Sequence, residues 1–376
     1  ALGRRALKAN TTANDNTALG HHALELNTTG TQNTAVGSQA LDANTTASNN
    51  TAVGFVALGD NTTGASNTAV GDRALYFNTT ASNNTAVGKS ALNVNTTGIA
   101  NTAVGSLALD AATTANYNVA VGYASLSSNT TGVHNVGTGT STIFNNTTGS
   151  NNTALGHEAL FNNTTASNNT AVGRHALFAN TTGTQNTAMG DNALDANTTA
   201  DNSTAVGFEA LVSATGGSND AFGRKAGHDI TSGSNNLCLG TLAGTSGSQI
   251  TLTSHTDTIV IGNSSHTASY VKTDWTTGSD QRDKTDIQDI STGLSFVNQL
   301  KPKSFWFRKN RNSTEKSGNK KYGFLAQDIL ALEGSNPVII DNQNEDSLGY
   351  QGSHLIPILV NAIKELSAKV TALEAG

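Results

Sequence analysis

Short apolar runs recur along most of the chain at a fixed interval, each closed by a glycine. In the tetrapeptide T-A-V-G and its variants these are Gly20, Gly37, Gly54, Gly71, Gly88, Gly105, Gly122, Gly139, Gly156, Gly173, Gly190 and Gly207, always seventeen residues apart. The whole unit reads N-T-A-V-G-x-x-A-L-x-x-N-T-T-G/A-x-x, as in residues 33–49, and the same phase reaches back to Gly3. Past Gly207 the register drifts: Gly223 follows after sixteen residues, Gly240 after seventeen, and Gly262 closes a looser I-V-I-G. A period held this long predicts a solenoid.

Seventeen residues are too few for a helix-turn-helix repeat, and N-T-T-G forms helix poorly, so the unit predicts a β-coil. T-A-V reads as a short strand, the glycine as a point of close packing or positive φ, A-L as a second inward pair and N-T-T-G as the turn. Stacking would align like residues into ladders, with Asn and Thr expected outside and Val and Ala within. Fourteen or fifteen coils at ~4.8 Å make a rod on the order of 70 Å long. Each coil offers only three or four apolar side chains, which points to several chains sharing one axis. The N-x-A-V-G-x-x-A pattern resembles the head repeats of trimeric autotransporter adhesins, which implies a homotrimer of left-handed β-rolls.

Composition narrows the function classes. With 13% charged and 5% aromatic residues, the chain is not built of ordinary globular cores throughout. A net charge of -6 without a basic stripe excludes a general nucleic-acid binder. A single cysteine, Cys238, excludes an intrachain disulfide or a cysteine-based zinc site and reads as a small buried apolar residue. No apolar run approaches the ~20 residues that span a bilayer, so membrane insertion is not expected. The chain opens at Ala1 in mid-pattern, which reads as a fragment.

The two positions after each glycine vary freely, as in His21 and His22, His157 and Glu158, or Arg174 and His175. They are expected to face outward or to line chain contacts. A receptor stripe or a histidine metal site is the functional alternative, but no His-x-His or carboxylate companion recurs along the chain, so neither a metal nor a cofactor is expected. The many N-x-T triplets follow from the repeat itself.

Composition changes after Ser279. All three prolines (Pro302, Pro337, Pro357) lie beyond it, with twelve basic and twelve acidic residues, so the whole net charge belongs to the repeats. Three regions are expected: a shaft over residues 1–247, a β-rich connector over 248–278 with strands in S-Q-I-T-L-T and D-T-I-V-I-G, and a small α+β module over 279–376. The module holds G-S-D-Q-R-D-K-T-D-I (278–287), L-K-P-K-S-F-W-F (300–307), Y-G-F-L-A-Q-D (322–328), N-P-V-I-I (336–340) and L-I-P-I-L-V-N-A-I-K-E-L (355–366). In this order and spacing they resemble the intramolecular chaperone at the C-terminus of phage endosialidases, tail fibres and tailspikes.

The resemblance implies a domain that trimerises the preceding fibre and then cuts itself away. It makes Ser279 the nucleophile and Lys284 its general base, with cleavage of the Gly278–Ser279 bond through an ester on Ser279 and its hydrolysis. A lysine serves as base only when burial or neighbouring positive charge favours the neutral amine, and Arg282 is a candidate source of that charge. Asp280 and Asp283 are candidates for orienting the lysine or the arginine. Gly278 leaves its carbonyl open to attack. Taken alone, a serine and a lysine five apart in a polar loop are unremarkable.

Near the end, Ile356, Leu359, Ile363, Leu366, Val370 and Leu373 are spaced three, four, three, four, three, the rhythm of a coiled-coil seam; a helix packed on its own domain is the alternative. Trp306, Phe305, Phe307, Tyr322 and Phe324 are expected in the module's core. The combined reading is a trimeric phage tail fibre or extracellular appendage, supporting attachment to a host-surface receptor, whose one enzymatic act is its own maturation. Alternatives are a bacterial surface adhesin of the same architecture, or a chaperone retained uncut. Ice binding and glycan hydrolysis fit less well, because adjacent Thr-Thr points to opposite strand faces and no paired carboxylates recur.

Overall fold

Three residues of extended chain carry too few hydrogen bonds to persist alone, so a repeat of this kind orders only by stacking. The computed structural model of the protein describes residues 1–248, 250–266, 279–308, 313–342 and 348–375. Fifteen strands, β1 (Thr17–Leu19) to β15 (Ile259–Ile261), lie in one parallel sheet in chain order. Thr34 pairs with Thr51, Ala35 with Ala52 and Val36 with Val53, so each residue meets its counterpart one coil on. The fold is a mainly β solenoid followed by a small C-terminal region with a terminal helix. Two compact units result, Ala1–Asn263 and Ser264–Gly376.

Side chains alternate along a strand, so the central residue of each strand, Ala in most of them, points in and its neighbours point out. Ala35, Ala52, Ala69 and Ala86 are fully buried, while the flanking Thr and Val are half-exposed. The expected Val ladder therefore lies on the outer face instead of within. The A-L pair does turn inward, and Leu24, Leu41, Leu58, Leu75 and their counterparts are the largest fully buried side chains. These leucines sit at φ near +50°, for example Leu41 at 51° and Leu92 at 49°. That conformation costs an L-residue roughly 1–2 kcal/mol, and complete burial of the leucine contributes about 1.5–3 kcal/mol, enough to hold the turn.

Asparagine is the second departure from expectation: it lies inside the coil, in two ladders. In one, Asn44 Nδ2 donates to Asn27 Oδ1 at 2.9 Å and to the Ala47 carbonyl at 3.0 Å. In the other, the Asn50 backbone N–H donates to Asn33 Oδ1 at 3.0 Å while Asn50 Nδ2 donates to the Gly64 carbonyl at 2.9 Å. Asn27, Asn44, Asn33 and Asn50 are fully buried. Tight corners leave backbone groups that no strand can pair, and a buried unpaired amide costs about 1–3 kcal/mol; the asparagine carboxamide, with donor and acceptor together, satisfies them. Threonine keeps its outer place, with Thr62 Oγ1 donating to the Thr79 carbonyl at 3.0 Å. Because apolar columns and amide ladders close each coil within one chain, the interior needs no second chain to complete it.

One coil tests this account. Ala112 stands where the first ladder calls for asparagine, and the Asn95 Oδ1 that would meet it is buried without a hydrogen-bond partner. Ala112→Asn is expected to rejoin the ladder and stabilise the shaft by about 1 kcal/mol, read as a raised denaturant midpoint; a lowered midpoint would show that the amide cannot enter.

Cys238 occupies the strand-centre position of β14 (Leu237–Leu239), paired with Ala221 on one side and Val260 on the other. Burial pushes its thiol up to about 11, so at pH 8 the sulfur is protonated and enclosed. Its alkylation is expected to wait for unfolding of the last coils, and prompt labelling of the native chain would refute this.

The connector differs from expectation in one strand. D-T-I-V-I-G supplies β15, but among the described residues of S-Q-I-T-L-T there is no strand; Leu252 instead folds into the coil as a buried residue, its N–H donating to the Gly244 carbonyl at 2.9 Å. Gln249 and residues 267–278 lie outside the described residues, and so does the predicted Gly278 side of the scissile bond.

The C-terminal unit contains α1 (Leu294–Val297), a hairpin of β16 (Lys303–Arg308) and β17 (Lys316–Gly323), α2 (Ala326–Glu333), the short pair β18 (Ile340–Asp341) and β19 (Gly349–Tyr350), and α3 (Leu355–Glu374). Its buried centre is Ile329, Ile339, Ile340 and Leu355, with Phe296, Leu300 and Phe324 against it. Glu333, ending α2, accepts the backbone N–H groups of Val338, Ile339 and Ile340 at 2.8, 2.7 and 3.0 Å. The expected aromatic core is only partly realised. Trp306, Phe307 and Tyr322 are exposed, on both faces of the hairpin, and Lys316 Nζ sits 4.1 Å over the Trp306 ring.

Candidate functional site

Ser279 and Lys284 flank a single 3-10 turn, Gln281–Asp283. Asp280 begins it: its Oδ1 accepts the Arg282 backbone N–H at 2.9 Å, the contact by which a short acidic side chain caps a helical turn. The Lys284 N–H closes the turn on the Gln281 carbonyl at 3.2 Å. One such turn reverses the chain enough to bring residues 279 and 284 together. Lys284 Nζ lies 2.7 Å from Ser279 Oγ and 3.1 Å from the Ser279 carbonyl oxygen.

The supporting residues divide differently from expectation. The Arg282 guanidinium is held by Asp280, through Nε at 3.1 Å to both carboxylate oxygens and Nη2 at 2.6 Å to Oδ2. That pairing lowers the Asp280 pKa and raises the already high Arg282 pKa. With its charge countered by Asp280, Arg282 is a poor source of the positive field suggested for it. Among the described residues the Asp283 carboxylate makes no hydrogen bond or ion pair. The whole turn is exposed.

The helix α3 separates two faces. Leu355 and Ala362 are buried and Ile358 half-buried, toward α1. Glu365 accepts the Leu294 N–H at 3.1 Å and Asn361 donates to the Thr292 carbonyl at 3.0 Å. Gly293 leaves the space where the Glu365 carboxylate sits, since a Cβ there would overlap it. On an adjoining side Ile356, Leu359, Ile363, Leu366, Val370 and Leu373 are all exposed, Leu373 to 82%. The face that packs on the helix's own unit is thus not the three-four row. Sequence reasoning missed Glu333, Asn361 and Glu365, which look like ordinary surface residues and act only through distant backbone.

Residues 279–334 match the protein family described as the chaperone of endosialidase, and the match opens at Ser279. No curated protein matches the chain. A β-solenoid shaft followed by such a domain fits a fibre-type protein, and this family suggests a phage tail or extracellular appendage. Among the described residues no helix is long and apolar enough to cross a membrane.

Proposed function

We propose that this chain is the shaft of a homotrimeric fibre that serves attachment to a host surface, assembled by its C-terminal module and then released from it by cleavage between Gly278 and Ser279. The observation that carries the proposal is the 2.7 Å contact between Lys284 Nζ and Ser279 Oγ at the first residue of the chaperone match. In the reaction, Ser279 Oγ attacks the Gly278 carbonyl carbon and passes its proton to the Lys284 amine. The C–N bond then breaks, the Ser279 nitrogen takes up a proton, and Gly278 is left as an ester on Oγ. Water hydrolyses the ester, yielding a Gly278 carboxylate and a new amino terminus at Ser279, a single turnover in cis.

A lysine acts as a base when desolvation favours its neutral form, yet both members of the pair are exposed in the single chain. The cover has to come from elsewhere, and partner chains are the available source. The exposed row on α3 and the uncovered aromatics of β16 and β17 are the apolar surface on which three modules meet. Cleavage then follows assembly. Dilution of freshly refolded chains is expected to slow the appearance of 278- and 98-residue fragments, while light scattering shows a trimer; concentration-independent cutting by a monomer overturns the coupling, and an uncut trimer overturns the protease.

A further inference from the structure

The solenoid brings together side chains that the sequence holds well apart. His157 and Glu158 follow Gly156, and His175 occupies the second position after Gly173, one coil later. The His175 backbone N–H donates to the His157 carbonyl at 3.1 Å, so the two histidines are tied by the same cross-coil bond that stacks the shaft. Their rings converge on one carboxylate: Glu158 Oε2 lies 2.8 Å from His175 Nε2 and 3.8 Å from His157 Nδ1. All three potential ligand atoms fall within 4.8 Å of one another. The Phe178 ring, centred 4.8 Å from that of His175 and stacked on Phe161, walls one side.

We propose that His157, Glu158 and His175 form a divalent transition-metal site, best suited to Zn²⁺, that bridges two successive coils and keeps a fourth position for water. Two imidazoles and one carboxylate are a donor set that zinc accepts, whereas Mg²⁺ and Ca²⁺ call for oxygen ligands. With metal–ligand bonds of about 2.0–2.1 Å, tetrahedral ligand atoms stand about 3.3 Å apart. The observed 2.8 and 3.8 Å bracket that value, so small rotations of half-exposed side chains on fixed backbone suffice.

A second cluster shows why this one is chosen. His22, Glu25 and Asp42 also approach one another, but Glu25 is already bound by Arg5, with Lys8 4.0 Å away. A metal ion there would have to displace a guanidinium against its repulsion. At Glu158 the only basic partners among the described residues are the two histidines, and nearby Arg174 is turned to Asp191 at 3.1 Å. The site escapes a search for metal motifs because its ligands come from residues 157, 158 and 175, a spacing that means something only once the coil length is known.

The test is calorimetric titration of the full, tag-free chain with ZnCl₂, beside thermal unfolding with Zn²⁺ or Mg²⁺. One Zn²⁺ per chain is expected, with a raised unfolding temperature that Mg²⁺ does not reproduce. His175→Gln and Glu158→Gln are each expected to weaken binding by more than the about 10-fold that even outer-shell changes cost, and His22→Gln to leave it unchanged. Circular dichroism checks that each variant keeps the wild-type fold; these positions are on the outer surface. Absence of Zn²⁺ uptake by the wild type, or uptake unaltered in a His157→Gln/His175→Gln double variant, overturns the proposal.

Discussion

Replacing Ser279 by alanine is expected to leave every chain at its full 376 residues, where the wild type is expected to resolve into pieces of 278 and 98. In the proposed reaction the effect is all or none because the hydroxyl is the attacking atom, and Ser279 carries the only hydroxyl in residues 279–284. Lys284→Met should give the same result for a different reason: the length of the side chain is kept, but nothing 2.7 Å from Oγ can accept the proton. Asp280→Ala should slow cutting without abolishing it, since Asp280 touches neither reacting atom and acts by capping the turn that presents Lys284 to Ser279. Intact-mass spectrometry of the three variants reads all of this. Rapid cutting by Ser279→Ala sinks the assignment, and equal loss in all three points to a collapsed turn. Trimer formation by the uncut Ser279→Ala variant is also expected, because the apolar surface of α3 is untouched by it.

The second large effect concerns the shaft. Gly88 sits at φ 135°, and a Cβ there would lie 2.5 Å from the Gly105 carbonyl oxygen, 2.6 Å from its carbon and 2.9 Å from the Ser106 nitrogen. All three are backbone atoms, so no rotamer change relieves the overlap. The left-handed side of the backbone map adds its own penalty for an L-residue. Gly88→Ala is therefore expected to destabilise the shaft by about 4 kcal/mol or more, the range reserved for severe single changes. Stability in a stacked repeat is a sum of coil and neighbour terms, so the loss should appear as a break at one place, with hydrogen exchange accelerated around the coils of Gly88 and Gly105 first. Ser106→Ala, beside the same contact but with no hydrogen bond from its hydroxyl among the described residues, is the control and should fall within about 0.5 kcal/mol of wild type. Wild-type stability in Gly88→Ala would mean the glycine column is not closely stacked.

Much of the shaft was legible because period is a local property repeated many times. The T-A-V strands, the inward A-L pair and the structural demand on the glycine all follow from one coil read correctly. The orientation of Val36 and Asn44 did not. Valine is the more apolar residue and on composition belongs inside, but a three-residue strand with one inward position gives that place to alanine. Asn44 reads as a surface turn residue until one counts the corner amides it must satisfy. The same holds in the C-terminal unit, where Phe307 and Tyr322 look like core and stand exposed.

The candidate site divides along the same line. Ser279 and Lys284 were marked by their motif, and their meeting needs only one local turn, so six residues of sequence contain the whole geometry. The hold of Asp280 on Arg282 is equally local, yet the motif could not say that the pair would counter its own charge. Which face of α3 stays uncovered, and how His157 comes to share a carboxylate with His175, depended on contacts between distant residues. By itself the sequence determined the repeat length, the parallel stacking in register and the position of the chaperone module, because each is written in spacing along the chain. Only the tertiary structure decided what is inside and what meets across coils, because that depends on how seventeen residues close on themselves and which backbone groups are left to satisfy.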